Sequence, residues 1–202
     1  MSSKPQSKTE NDDYKIVQQV LRGKKEAFAE LVEKYKKQVF NVAYRMTSDA
    51  EVAMDISQEA FVKIYKNLEQ YNPQYKFSSW LLKSVNNLCV DYFRTRNDST
   101  ASLDVIMDSG AEGLLSSRTT VASSAEEFEK SETRAELRSI LKEAISQLPL
   151  DYKSVVVLRH LQNLSYKEIS QILNLPMGTI KARIFRARKM LKTYLERRMS
   201  DF

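Results

Sequence analysis

The stretch Leu164-Ser165-Tyr166-Lys167-Glu168-Ile169-Ser170-Gln171-Ile172-Leu173-Asn174-Leu175-Pro176-Met177-Gly178-Thr179-Ile180-Lys181-Ala182-Arg183-Ile184-Phe185-Arg186-Ala187-Arg188 decides the reading of this chain. Ser165 and Glu168 have the spacing of a capping box, in which hydroxyl and carboxylate reciprocally satisfy orphan N–H groups at a helix start. Ile169, Ile172 and Leu173 give that helix a buried stripe. Asn174-Leu175 makes a tight turn, and Pro176 opens the next helix, where its missing N–H is harmless. Two short helices across such a turn form a helix-turn-helix, whose second helix enters the major groove of DNA.

The second helix has the composition for that role. Ile180, Ile184, Ala187, Met190 and Leu191 recur at helical spacing and are expected inward. Lys181, Arg183, Arg186, Arg188, Lys189, Lys192, Arg197 and Arg198 are positive, and Glu196 alone is negative. Thr179 and Lys181 in the first turn, with Arg186 beyond, are placed to reach base edges while the other cations hold phosphates.

Upstream the pattern stays helical. Periodicity from Asp13 places Ile16, Val17, Val20 and Leu21 on one face, and Gly23 suits the stop. Phe28, Leu31, Val32, Tyr35, Val39, Val42 and Met46 mark a second helix. Thr47 or Ser48 is expected to cap a third, which carries Val52, Ile56, Phe61, Ile64, Tyr65 and Leu68 to about Gln70. Tyr71-Asn72-Pro73 breaks it. Ser78 is the expected cap of a fourth helix, Ser79–Arg96, with Trp80, Leu81, Val85, Leu88 and Tyr92 inward. Residues 97–125 have no aromatic residue and no period, as in a linker. The helical pattern resumes near Glu126, with Leu137, Ile140, Leu141, Ala144 and Leu148 on one face, ends at Pro149, and is followed by a helix over Asp151–Leu161.

The expected fold is therefore all-α. A disordered N-terminus (1–12) precedes a four-helix bundle (13–96), a flexible acidic linker (97–130) and a helix-turn-helix domain (131–202). Charge follows the same division: 16 basic against 12 acidic residues over 1–96, two against seven over 97–130, and 14 against seven over 131–202. Basic modules attract polyanions, and nucleic acid is the first partner they suggest. One cysteine and one histidine exclude a disulfide framework and a multi-Cys or His-pair metal site, so neither cofactor nor metal is expected. Cys89 reads as a small apolar filler and His160 as a surface or packing residue. No apolar run approaches the ~18 residues of a membrane span, and the polar N-terminus lacks a signal-peptide pattern. A cytoplasmic chain without membrane insertion is expected.

The helix-turn-helix string, together with Leu148-Pro149 and Leu158-Arg159, resembles region 4.2 of the extracytoplasmic-function (ECF) group of sigma-70 family RNA polymerase sigma factors. That resemblance implies reading of a −35 promoter element by Arg159, Thr179, Lys181, Ala182, Arg183, Phe185 and Arg186. Met177 stands where Val is commoner, and Ala182 where Ser is common, which removes a hydroxyl. Asp55-Ile56-Ser57-Gln58-Glu59-Ala60-Phe61 is similar to the region 2.2 signature. It implies docking of Asp55, Gln58, Glu59 and Phe61 on the clamp helices of the largest subunit of core RNA polymerase. An acidic face suits a basic coiled coil.

Phe77-Ser78-Ser79-Trp80-Leu81-Leu82-Lys83-Ser84-Val85-Asn86-Asn87-Leu88-Cys89-Val90-Asp91-Tyr92-Phe93-Arg94 resembles regions 2.3 and 2.4. These capture the −10 element as an opened strand, which implies contacts from Asn72, Tyr75, Lys76, Lys83, Asn86, Asn87, Arg94 and Arg96. Tyr71 and Phe77 belong to the same loop side, whereas the phase of Trp80 assigns it to the core. Asn86 replaces a common Arg and Ser84 a usual apolar residue. The resemblance covers residues 13–96 and 131–195. It implies promoter DNA and core polymerase as partners, an anti-sigma factor as a further partner, a stress or envelope signal, and a linker that threads polymerase channels.

Two other classes share parts of this pattern. An autonomous helix-turn-helix regulator needs a dimerising or ligand-binding first half, which the Asp55–Phe61 and Phe77–Arg94 strings match poorly. A metal-dependent enzyme would use Glu30 with Glu33 or Asp55 with Glu59. No nucleophile–base set or phosphate-cradling glycine loop accompanies these pairs, and solvated faces explain them more simply.

Overall fold

The computed structural model describes the backbone of residues 8–101 and 139–200. The expectations for Glu126, Leu137 and most of the linker lie outside those residues. The first module contains α1 (Lys8–Leu21), α2 (Phe28–Thr47), α3 (Ala50–Lys66) and α4 (Phe77–Ala101), with 3₁₀ turns at Lys25–Ala27 and Leu68–Gln70. The second contains α5 (139–146), α6 (Leu150–Val156), a π-helical turn Val157–Leu161, α7 (Tyr166–Leu173) and α8 (Met177–Ser200). No strand occurs among the described residues.

Several boundaries differ from expectation for local reasons. Helix α1 begins at Lys8 rather than Asp13, and Asp13 is instead buried. Its carboxylate accepts from the Tyr35 hydroxyl at 2.5 Å and pairs with Lys34, tying α1 to α2. Gly23 takes φ +100 at the stop, a left-handed conformation that suits glycine, and donates to Val20 at 2.9 Å. Thr47 and Ser48 close α2 instead of opening α3. Ser48 adopts φ 62, while the Thr47 hydroxyl donates to the Ala43 carbonyl at 2.9 Å. Asp49 is the cap of α3, accepting from the N–H groups of Glu51 (2.9 Å) and Val52 (3.1 Å).

The fourth helix begins at Phe77, with Ser78 inside it. Buried Phe77 packs on Tyr35 and Tyr71, each with ring centroids 5.6 Å away, and this anchors the first turn. The helix then runs to Ala101, past the expected stop at Arg96. In α5 the inward face is Ala144 and Ile145, continued by Leu148, whereas Leu141, at the module's margin, is 42% exposed. Helix α8 spans 24 residues, about 36 Å at ~1.5 Å each. Short α6 and α7 cannot cover that length, so Ile180, Ile184 and Ala187 are buried but Met190 is exposed.

Leu31, Val39, Val42, Met46, Ala53, Ala60, Ile64, Leu81 and Val85 fill the first core. Val155, Val157, Leu158, Ile169, Ile172, Ile180 and Ile184 fill the second. The modules also touch: α7 packs on α4, and α6 with the π-helical turn packs on α2.

Candidate nucleic-acid interfaces and acidic docking face

The helix-turn-helix is fastened locally. Ser165 N–H donates to Glu168 Oε2 (2.8 Å) and Glu168 N–H to Ser165 Oγ (3.3 Å), completing the capping box. Burial pushes the Glu168 carboxyl up. Hydrogen bonds from the Ser165 hydroxyl and backbone, then Lys76, outweigh burial and hold it below its ordinary value. With its folded pKa depressed, Glu168 stabilises the fold above the unfolded carboxylate range and loses that contribution as pH falls through the folded value. Asn174 closes α7 at φ 53, and Ser170 Oγ donates to Leu175 O at 2.5 Å, stapling the turn.

This anchoring turns one face of α8 outward. Lys181, Ala182, Phe185 and Arg186 are exposed, Phe185 at 72%, and Thr179 is half-buried. Two of the expected reading residues are engaged by the fold instead. Arg159 donates to the Leu164 carbonyl (2.8 Å) with its guanidinium 5.1 Å from the Tyr166 ring centre. Arg183 pairs with Asp151 at 2.6 Å. His160 lies 3.5 Å from Arg188, and burial, then Arg188 and Arg159, lower its pKa.

The α4 face is aromatic and basic. Tyr71 stacks on Trp80 with centroids 5.5 Å apart, and Phe77 meets both rings edge-on. The Tyr71 hydroxyl donates to Tyr75 O at 2.8 Å, and Asn72 Oδ1 accepts from Gln74 N–H at 2.9 Å, which shapes the loop. Trp80 is half-buried rather than interior, standing between two clefts. One, of about 330 Å³, has Tyr71, Asn72, Tyr75 and Lys83 among its walls. The other, of about 250 Å³, has Lys63, Asn67, Lys83, Ser84 and Asn87. Lys83, Asn87, Arg94 and Arg96 are exposed. Arg94 pairs with Asp91 at 3.2 Å, Arg96 donates to the Tyr92 hydroxyl at 3.2 Å, and Lys76 pairs with Glu168 at 3.0 Å. Asn86 departs from expectation: at 7% exposure it faces the core and presents no surface to a strand. Stacking rings beside cations are what a single strand needs, because every base has a π-face and every linkage a charge.

Ser84 faces inward on the same helix, and its hydroxyl has no hydrogen-bond partner among the described residues. An unsatisfied buried hydroxyl costs about 1–3 kcal/mol. Ser84→Ala is therefore expected to stabilise the chain by roughly 1 kcal/mol, raising the denaturation midpoint; a lowered midpoint would show that the hydroxyl is satisfied. Burial pushes the neighbouring Cys89 thiol up to about 12. The folded chain should resist iodoacetamide at neutral pH, and rapid alkylation would place Cys89 at the surface.

On α3, Asp55, Gln58 and Glu59 share an exposed face over buried Ile56 and Ala60. Phe61, expected on the docking face, is only 9% exposed and lies beneath that face. Met54 and Val62, 50% and 51% exposed, flank the acidic group, as does exposed Tyr65. Sequence reading missed Met54 and Val62, although they lie out of phase with the Ala53–Ile56–Ala60–Ile64 stripe, a signal that marks surface apolar residues.

Residues 31–98 match the sigma-70 region 2 family, and residues 138–191 match sigma-70 region 4. The chain is 36% identical over 184 residues to the ECF RNA polymerase sigma factor SigW of Bacillus subtilis, covering 90% of this chain and 95% of that protein. It is 33% identical to the ECF RNA polymerase sigma-E factor of Escherichia coli K12, covering 89% and 92%. Among solved structures it resembles the sigma factor RpoE in complex with the anti-sigma factor NepR from Bartonella quintana. The TM-score is 0.64 at 20% identity, over 84% of this chain and 96% of that one. The chain belongs to the ECF group of the sigma-70 family, the class of RNA polymerase subunits that select promoters.

Proposed function

We propose that this chain is a dissociable specificity subunit of RNA polymerase. Its module 13–96 docks on the core enzyme and holds the −10 element, and its module 131–202 reads the −35 element. The exposed cations on α8 support the second role, with Lys181 and Arg186 as base-reading or phosphate-holding residues and Phe185 as an apolar contact. The Tyr71–Trp80 stack beside Lys83 and Asn87 supports the first, because an unpaired base needs a surface that replaces the stacking it loses. Asp55, Gln58 and Glu59, with Met54 and Val62, form the face offered to the clamp helices.

The observation that carries this reading is the coexistence in one chain of an exposed basic helix after a capped turn and an aromatic cleft edged with cations. A lone operator-binding regulator uses only the first. The chain performs no covalent chemistry in this reading, acts in the cytoplasm, and is held by an anti-sigma factor, as the Bartonella quintana relative is in its complex. No described helix is long and apolar enough to cross a membrane.

Run-off transcription with added core polymerase on genomic promoter fragments tests the proposal. Transcripts from specific starts are expected only when both are present, and the free chain should shift promoter duplex feebly. Tight duplex binding without core polymerase would favour the autonomous regulator.

A further inference from the structure

A hydroxyl inside a helix is ordinarily satisfied by the carbonyl one turn back. Thr47, Ser57 and Thr95 of the first module follow that rule, donating to the residue four positions earlier at 2.9, 2.5 and 3.0 Å. Ser84 does not. At 8% exposure its hydroxyl makes neither that bond nor any other among the described residues. An apolar side chain would suit the place, because Leu81 and Leu88, one turn to either side, are buried. A buried polar group left without a partner in a folded chain calls for a reason.

The reason lies in what Ser84 borders. It forms part of the wall of the smaller cleft beside Trp80, about 250 Å³, between the end of α3 and the middle of α4. Trp80, Ser84 and Asn87 follow one another at four- and three-residue steps, so one stripe of α4 brings a ring, a hydroxyl and an amide to the opening. Lys63 and Lys83 stand exposed at its edge. Asn67, across from them, is already committed: its amide donates to the Lys63 carbonyl at 2.7 Å and its oxygen accepts from Gln70 at 3.1 Å. Every wall of this cleft comes from the first module. At ~30 Å³ for each water-sized volume it holds about eight non-hydrogen atoms, a single nucleobase and not a stacked pair.

We propose that Ser84 is a specificity-determining residue: its hydroxyl bonds the edge of one unpaired base seated in this cleft against Trp80. The proposal rests on the −10 role given above and adds to it a choice among bases at one position. Rings and cations alone supply no such choice, because every base has a π-face and every linkage a charge. A hydroxyl rotates to donate or to accept, so it serves an amine or a carbonyl edge and disfavours an apolar one such as the thymine methyl. Ser84 stands where an apolar residue is usual in the family, so the choice belongs to this chain. The unpaired hydroxyl lowers the stability of the free chain and finds its partner only when the base arrives.

The test assembles the full chain with core polymerase and offers it single-stranded DNA of randomised sequence, with core polymerase alone as background. Bound strands are sequenced for the parent, Ser84→Ala and Lys83→Ala. The parent should prefer particular bases at one position. Ser84→Ala should relax that preference about fivefold, the net worth of one neutral hydrogen bond, while preferences elsewhere and total binding stay parental. Lys83→Ala should weaken all strands alike, as loss of a phosphate contact does. Unchanged preferences in Ser84→Ala, while Lys83→Ala weakens binding, overturn the reading role and leave the −10 role intact. A loss spread evenly over all positions in Ser84→Ala, or a lowered denaturation midpoint, also overturns it, since the hydroxyl then serves the fold. If the parent adds no preference to that of core polymerase and Lys83→Ala changes nothing, the −10 role and the proposal fail together.

Discussion

Asp55→Arg combined with Glu59→Arg is expected to abolish association with core RNA polymerase while leaving the fold intact. Both carboxylates are exposed on α3, and the residues that hold this helix, Ala53, Ile56, Ala60 and Ile64, lie on its other side. Exposed substitutions away from caps and cores usually change stability within about 0.5 kcal/mol. At a charged interface the same change replaces attraction with like-charge contact, which costs several kcal/mol. Since about 1.4 kcal/mol is tenfold, binding should fall on the order of a hundredfold or more. Gel filtration with core enzyme reads the loss, and a thermal melt certifies the fold. Co-elution of the variant with the core at parental yield would remove the docking role from this face.

Lys181→Ala and Arg186→Ala should each weaken −35-dependent transcription, by the ~1–3 kcal/mol typical of a specific base contact. Both side chains leave the exposed side of α8, whose opposite side is pinned by Ile180, Ile184 and Ala187. A base-reading residue loses preference at one promoter position, whereas a phosphate-holding residue weakens all promoters alike and lowers the salt slope by about one. Run-off assays on −35 variants at two salt concentrations separate the two roles. Parental transcription from both variants would show that α8 does not read this element. Arg183→Ala and Arg159→Ala make instructive contrasts. Arg183 is paired with Asp151 and Arg159 with the Leu164 carbonyl, so losses there should appear in thermal stability as well.

What the sequence made legible was local. The capping box, the tight turn at Asn174-Leu175 and the inward run from Ile169 to Ala187 depend on neighbours within a few positions, and all three appear in the structure. The cap of α3 was misread because Thr47, Ser48 and Asp49 are all competent caps. Only the backbone of Ser48 decides which one is free to serve. Asn86 and Phe61 show a different limit: a motif names positions, but exposure depends on the phase of the whole helix against its neighbours. Trp80 shares the phase of Leu81 and Leu88, yet the loop at Tyr71 draws its ring to the margin of the core. Contacts across more than 100 residues, such as Lys153 with Met46, leave no periodic trace at all.

Trp80 is the sole tryptophan of the chain. Standing between two openings and against Tyr71, its indole is placed to respond to any ring that stacks in either cleft. The unmodified polypeptide thus has a built-in optical gauge: with excitation selective for indole, the wavelength and intensity of emission can follow a strand added to the free chain, with no dye attached.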